Sequence, residues 1–173
     1  MMELTANAEQ NWYAVHTRSR HEFQVYDRLK MKGIEAFLPA VERLRKWKDR
    51  KKAVTFPLFP GYIFVYTTKR SQDILNVVRI KGVVRLLGAG RGEPEPIPDE
   101  QIISLKKLIE SKETLDPYPY LQEGQRVRIK YGSLSGVEGI LVEKLGQHML
   151  VLSVDILRQG VAVKIEAANV ERV

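Results

Sequence analysis

Residues 56–66 read FPLFPGYIFVY, a proline-fixed turn followed by an unbroken run of β-branched and aromatic residues. The run from Tyr62 to Tyr66 is typical of a central β-strand. Two prolines and Gly61 fix the turn that enters it, and they leave Leu58 and Phe59 few ways to pack along a regular strand. The segment therefore predicts a sheet with an apolar turn at the start of its central strand.

Strand and helix patterns alternate on both sides of this segment. Ser19 and Glu22 have the spacing of a capping box at the start of the first helix. The predicted elements are a strand at 11–17, a helix at 20–32, a strand at 34–38, a hairpin at 41–56, the central strand, a helix at 71–78, a strand at 83–87 and a helix at 99–110. This β-α-β-β-α-β-α order predicts an α+β fold, a ferredoxin-like split βαβ sandwich.

The sequence changes in character after residue 110. Residues 111–121, SKETLDPYPYL, contain two prolines and few aliphatic residues, which is typical of a linker. Residues 122–173 contain five short strand patterns separated by glycines, which favours a small β-barrel. We therefore predict a first domain over 1–110, a linker over 111–121 and a second domain over 122–173.

Composition excludes several classes of protein. The chain has 173 residues and no cysteine, so it holds no disulfide, no thiolate zinc site, no iron–sulfur cluster and no cysteine nucleophile. No apolar run approaches the roughly 18 residues that a membrane span needs, and the polar N-terminus does not resemble a signal peptide. We expect a soluble cytoplasmic protein.

The net charge of +7 lies entirely within residues 1–110, while residues 111–173 are neutral overall. Its densest part is the segment Arg43–Lys52 of the predicted hairpin, where one acid, Asp49, accompanies seven basic residues: Arg43, Arg45, Lys46, Lys48, Arg50, Lys51 and Lys52. Such a run serves either as a solvated, solubilising hairpin or as an arm that contacts phosphates. Trp47, inside the run, fits either packing on its own domain or stacking on an exposed base.

Catalytic and cofactor-binding patterns are missing from the sequence. Its three histidines, His16, His21 and His148, do not have metal-ligand spacing. There is no phosphate-binding glycine loop and no nucleophile elbow, and the glycines at 88, 90 and 92 precede acids and prolines rather than a helix. We predict a binding protein rather than an enzyme, with no cofactor and no metal.

Two sets of motifs resemble a known family. Residues 124–142, GQRVRIKYGSLSGVEGILV, resemble a KOW motif, which implies an SH3-like barrel. In the first domain Trp12-Tyr13-Ala-Val, Glu22, the FPGYIFV of 59–65, Gly82-Val-Val and Pro96-Ile-Pro resemble the N-terminal domain of the NusG family in order and spacing. The basic hairpin and the Pro57-Leu-Phe-Pro segment look closer to specialised, RfaH-like antiterminators.

The resemblance implies a transcription elongation or antitermination factor. Such proteins bind the clamp helices of RNA polymerase through an apolar surface of the first domain and suppress pausing or termination. The matching positions are Tyr13, His16, Leu58, Phe59, Pro60 and Tyr62. From the residues alone, Leu58 and Phe59 fit either a docking patch or a place in the core.

The same resemblance implies contact with the non-template DNA strand in RfaH-like members. Arg18, Arg28 and Lys81 match cationic positions of that surface. The predicted nucleic-acid-binding set adds hairpin residues Arg43, Arg45, Lys46, Lys48, Arg50 and Lys51.

In this family the barrel contacts ribosomal protein S10 or, in housekeeping members, the termination factor Rho. The matching positions are Leu134, Ile156 and Leu157. RfaH-like proteins carry an acid just before the Pro-Leu-Phe-Pro segment, and this acid forms a salt bridge that closes the two domains. In this chain Phe56 stands at that position. We therefore predict no helical fold switch and a barrel in the isolated protein.

Two alternatives stay open. Within the family, the chain fits the general, housekeeping NusG. Outside it, a ribosome-binding or structured-RNA-binding protein built on a KOW barrel is the main rival, although such a protein would carry its cationic surface on the barrel. We expect a monomer.

Overall fold

The structure is a computed structural model that describes residues 8–88 and 92–173. Residues 1–7 of the polar N-terminus, and residues 89–91 among the glycines at 88, 90 and 92, lie outside these ranges. No helix within the described ranges is long and apolar enough to cross a lipid bilayer.

Helices are few and strands are many. In chain order the first elements are β1 (Gln10–Thr17), α1 (Glu22–Met31), β2 (Glu35–Phe37), β3 (Ala40–Trp47), β4 (Arg50–Pro57), β5 (Tyr62–Thr68), α2 (Ser71–Val78), β6 (Val83–Leu86) and α3 (Asp99–Glu110). They are followed by β7 (Leu115–Pro119), β8 (Gln125–Ile129), β9 (Glu138–Lys144), β10 (Gln147–Val154), β11 (Gln159–Lys164) and β12 (Val170–Arg172), with short 3-10 turns at Asp155–Leu157 and Ala167–Asn169.

The chain divides into two compact units. One contains the chain up to Leu38 together with Pro60–Asp99, and the other contains Pro39–Phe59 together with Glu100–Val173. The predicted boundary at residue 110 therefore differs from the observed one, because the hairpin β3-β4 and helix α3 group with the C-terminal strands. Arg43 of β3 donates a hydrogen bond to the carbonyl oxygen of Leu115, and Lys107 of α3 donates one to that of Ser135.

The first unit is built on a four-stranded antiparallel sheet in the order β2-β5-β1-β6. The predicted central strand is confirmed, since β5 lies between β2 and β1. Side chains from one face of this sheet pack with α1 and α2 into a core: Tyr13, Val15, Val25, Leu29, Ile63, Val65, Val77, Ile80 and Leu86. Burial of this apolar surface is the main force that holds the unit together.

The second unit contains a six-stranded antiparallel sheet in the order β12-β8-β9-β10-β11-β7 and the separate ribbon β3-β4. All five strands predicted after residue 122 form. The linker prediction was wrong for Leu115–Pro119, which forms β7 and pairs with β11 along its full length. Leu115 is buried there. The two prolines of β7 are tolerated because β7 is an edge strand of the sheet.

The start of α1 also differs from the prediction. The residue before the first helical residue is His21, and no side chain caps the helix. Glu22 is almost fully buried, and its Oε1 accepts a hydrogen bond of 2.8 Å from the backbone N–H of Gly61. The carboxylate thus serves the turn before β5 rather than the helix terminus.

Candidate functional site

The basic hairpin predicted from the sequence is a two-stranded ribbon whose tip is the turn at Lys48 and Asp49. Residues 42–53 are all exposed. The register places Arg45 directly opposite Lys52 and Lys46 directly opposite Lys51. Like charges at directly opposed positions destabilise a strand pair, so this arrangement is unfavourable for the ribbon itself and favourable for an anionic ligand.

The base of the ribbon is attached to the edge of the second unit's large sheet. The Arg43 guanidinium donates a 2.7 Å hydrogen bond to the carbonyl oxygen of Leu115 and lies 3.4 Å from Asp116. The Asp116 pair is half exposed and contributes little to stability. Of the predicted nucleic-acid-binding residues, Arg43 therefore also serves as an anchor and Arg45 lies over the Phe56 ring. The others lie at or near the exposed tip: Lys46, Lys48, Arg50 and Lys51.

A second cationic group lies in the first unit. The backbone N–H of Arg18 donates to the carbonyl oxygen of Gly82 at 2.8 Å, and the Arg28 guanidinium donates to that of Lys81 at 2.6 Å. Gly82 is required for this close approach, since its φ is +104° and an added Cβ would lie 2.7 Å from a methyl group of Val25. The structure thus brings the predicted residues Arg18, Arg28 and Lys81 together.

The predicted docking residues are not all on the surface. His16 and Tyr62 are partly exposed neighbours, with rings stacked at 5.2 Å, and Pro60 is exposed. Tyr13 is fully buried in the helix-covered core, and burial raises the pKa of its hydroxyl. Its assignment to an exposed surface was wrong, because strand alternation sends positions 13 and 15 to the core face and position 16 to the other.

Leu58 and Phe59 are also buried, with exposed fractions of 3% and 1%. The backbone N–H of Leu58 donates to the carbonyl oxygen of Pro39 at 2.8 Å, which closes the base of the ribbon. The prediction that these two side chains form an exposed patch is wrong for this conformation. Neither belongs to the core of the first unit, because Leu58 and Phe59 group with the second unit.

Sequence reasoning missed an aromatic group on the sheet face opposite to that core. Phe64 of β5 lies 6.0 Å from Phe37 of β2, and Trp12 of β1 lies 5.2 Å from Tyr66, measured between ring centroids. The period-two spacing of Tyr62, Phe64 and Tyr66 signalled this face. His16 and Tyr62 are its partly exposed end.

The three residues predicted to contact a partner of the barrel lie in two turns that are hydrogen-bonded to α3. Leu134 and Leu157 are buried, and Ile156 is partly exposed. Lys107 of α3 donates to the carbonyl oxygen of Ser135 at 3.2 Å, and Gln101 of α3 donates to the Asp155 carboxylate at 2.9 Å. These bonds join α3 to the immediate neighbours of Leu134 and Ile156.

Across residues 8–88 and 92–173, no group of three or more His, Cys, Asp or Glu side chains is arranged to hold a metal ion. The chemistry that the described surfaces offer is the binding of anions and of aromatic or apolar groups.

The class of protein follows from a comparison with known protein families. A family model described as transcription termination factor NusG matches residues 10–106, more than half of the chain. The chain therefore belongs to the NusG family of transcription termination and antitermination factors.

Individual relatives agree with this assignment. The termination/antitermination protein NusG of Borreliella burgdorferi is 25% identical over 182 residues, covering 94% of this chain and 98% of its own length. NusG of Thermus thermophilus is 30% identical over 151 residues, covering 76% of this chain and 81% of its own. A structure of domain interaction in Thermotoga maritima NusG shares the fold, with a TM-score of 0.57, 21% identity and coverage of 95% and 98%.

These relatives carry the name of the general factor. The resemblance to specialised RfaH-like antiterminators is not distinguished by the comparisons, which favour the general NusG assignment over the specialised one.

Proposed function

We propose that this protein is a NusG-type elongation factor that binds RNA polymerase through its first unit and nucleic acid through its cationic surfaces, modulating pausing and termination. In this proposal the first unit is the ferredoxin-like domain and the six-stranded sheet is the KOW-containing, SH3-like barrel. The observation that carries the proposal is the exposed ribbon with two opposed pairs of like charges. Family membership supports transcription as its setting.

The polymerase contact in this proposal uses the residues of the predicted set that reach solvent. His16 and Tyr62 present a stacked pair of rings, and Pro60 fixes the adjoining backbone. Aromatic side chains with one exposed edge are enriched at the energetic centres of protein interfaces. Tyr13 supports this region from the buried core of the first unit. Leu58 and Phe59 are buried in the second unit, and direct contact by either requires it to be uncovered first.

A pull-down with RNA polymerase tests the docking surface. His16→Ala combined with Tyr62→Ala is expected to weaken polymerase binding by tenfold or more, the range found for interface hot spots. Tyr131→Ala is the matched control, since Tyr131 is 68% exposed and lies in the other unit. Wild-type binding by the double variant, with circular dichroism showing both variants folded, would remove this surface from the proposal.

For the barrel we propose ribosomal protein S10 as partner, at Leu134, Ile156 and Leu157, with Rho as the alternative. In this proposal the buried side chains of Leu134 and Leu157 become available when α3, which is bonded to the neighbouring residues Ser135 and Asp155, separates from them. A variant with Gln101→Ala and Lys107→Ala is therefore expected to bind S10 more tightly than wild type in a titration, with Glu100→Ala as the control. Tighter binding of Rho instead would assign the surface to the alternative partner.

A specialised antiterminator is the second candidate, and the seven cations of the hairpin favour it. Transcription in vitro in the presence of Rho separates the two. The general factor is expected to leave Rho-dependent termination intact or to move it upstream, whereas a specialised antiterminator produces readthrough.

A further inference from the structure

The ribbon β3-β4 has two chemically different faces. Because side chains alternate along a strand and opposed residues share a face, the register assigns each residue of the ribbon to one side. The side that carries Arg43, Arg45, Trp47, Arg50 and Lys52 is called the Trp47 face, and the side that carries Glu42, Leu44, Lys46, Lys51 and Ala53 is called the Lys46 face.

The Trp47 face combines an exposed aromatic ring with cations. Trp47 is 68% exposed and lies directly opposite Arg50, and the next pair on the same face is Arg45 with Lys52. The structure describes the whole ribbon, and within it neither acid lies on this face, since Glu42 is on the Lys46 face and Asp49 is in the turn.

Arg45 is held in place on this face. Its guanidinium lies 4.6 Å from the centroid of the Phe56 ring, a cation–π contact that orients the charge without neutralising it. Arg43, further from the tip, is fixed by the carbonyl oxygen of Leu115. The cations at the base of the face are thus positioned, while Trp47 and Arg50 at the tip are uncovered.

We propose that the Trp47 face binds an unpaired nucleic-acid strand, with one base stacked on the Trp47 indole and the flanking phosphates contacting Arg50, Arg45 and Lys52. The proposal deepens the nucleic-acid contact proposed above and rests on it. Successive pairs on one face of a strand are about 6.7 Å apart, close to the separation of neighbouring phosphates in an extended single strand. A stacked base requires a free ring face, which an unpaired strand offers and a duplex does not.

Duplex DNA is the competing ligand, since a two-stranded ribbon also fits the major groove. If duplex DNA is the ligand, the narrow tip of the ribbon inserts between the two phosphate backbones, and both faces of the ribbon contact DNA. The two ligands therefore predict different results for substitutions on the two faces.

Trp47 itself reports the contact. The chain has two tryptophans, and Trp12 is only 7% exposed, so Trp47 is the solvent-accessible tryptophan. Titration of the full chain with a single-stranded oligonucleotide of about twelve nucleotides is expected to quench its emission. Trp47→Phe removes that quenching, and an oligonucleotide with abasic positions binds with less quenching than the intact one.

Affinity is measured in parallel by fluorescence anisotropy of a labelled oligonucleotide. Trp47→Ala is expected to weaken single-strand binding about tenfold, while Leu44→Ala on the Lys46 face leaves it unchanged. Both side chains are about 70% exposed, so neither substitution is expected to disturb folding.

Two charge-matched variants give the sharpest comparison. Arg50→Gln with Lys52→Gln removes two charges from the Trp47 face, and Lys46→Gln with Lys51→Gln removes two from the other. The first is expected to weaken binding at least fivefold more than the second. Equal losses, or tighter binding of duplex than of single strand, would overturn the face assignment while leaving nucleic-acid binding intact. No binding of either nucleic acid by wild type would instead remove the nucleic-acid part of the proposed function.

Discussion

The buried carboxylate of Glu22 links the start of α1 to the turn before β5. Its Oε1 accepts the Gly61 N–H, and the Gly61 carbonyl oxygen accepts the N–H of Thr17, so one turn is bonded to both a helix and a strand. This turn precedes Tyr62 and thereby sets the place where its ring meets His16. A single side chain therefore supports the geometry of the proposed docking surface.

Removal of the Glu22 acceptor is expected to destabilise the first unit. Glu22→Ala leaves the Gly61 N–H unpaired in a partly buried position, which costs about 1–3 kcal/mol. Glu22→Gln retains a carbonyl oxygen that can accept the bond and is expected to cost less. Urea unfolding measures both, and equal stability of the two variants would show that the hydrogen bond is not the cause.

Tyr13 gives the first unit a predictable response to alkaline pH. Burial raises the pKa of its hydroxyl above 10.0, so above pH 10 the unfolded chain has released a proton that the folded chain retains. Stability contributed by this group is full below pH 10 and falls as the pH rises towards the folded-state pKa.

Tyr13→Phe removes this response. Between roughly pH 9 and pH 11, the free energy of unfolding is expected to fall less in Tyr13→Phe than in wild type. Tyr131→Phe serves as the control because that side chain is 68% exposed. Parallel pH profiles for wild type and Tyr13→Phe would contradict the prediction.

At the scale of elements, α3 belongs with the C-terminal sheet rather than with the domain that precedes it in sequence. Its apolar face of Ile102, Leu105 and Leu108 is buried, and polar side chains at both ends bond to the turns that contain Leu134 and Ile156. Helical periodicity predicts an apolar face but does not say which sheet covers it, because both units offer apolar surface.

The polar contacts of α3 are expected to hold it against the sheet. Gln101→Ala with Lys107→Ala removes three exposed hydrogen bonds, two made by Gln101 and one by Lys107, each worth about 0.5–1.5 kcal/mol, and should speed amide hydrogen exchange in α3 and in residues 132–136. Glu100→Ala, an exposed change on the same helix, is expected to leave exchange unchanged. Unaltered exchange in the double variant would show that apolar burial alone holds the helix.

At the scale of the whole molecule, the charge distribution determines how binding depends on salt. The cationic excess lies before residue 111, and much of it is on one exposed ribbon. Each phosphate contact adds about 0.7 to the slope of log affinity against log salt for a single strand.

A variant in which Arg45, Lys46, Arg50 and Lys51 are all changed to Gln is expected to bind nucleic acid more weakly and with a flatter salt dependence, while polymerase binding is largely kept. The control changes four exposed cations after residue 110 to Gln: Lys112, Lys144, Lys164 and Arg172. The same slope in both quadruple variants would mean that net charge, and not the ribbon, governs binding.

Local patterns were sufficient for most of the elements. The strands and helices of the first unit, the hairpin and all five strands after residue 122 follow from alternation, helical spacing and turn residues, because these depend on neighbours in sequence. The cationic character of the ribbon tip is equally a property of the sequence, since residues 42–53 are exposed.

Properties that depend on residues distant in sequence came only from the tertiary structure. Tyr13 is in the core, Leu58 and Phe59 are buried, Glu22 serves Gly61 instead of its own helix, and Leu115–Pro119 is a strand. In each case an apolar or polar group has several possible partners of similar chemistry. The partner that each group contacts is decided by which strands pair and which surfaces pack against each other. The free energy of these contacts is spread over the whole unit rather than encoded at one position.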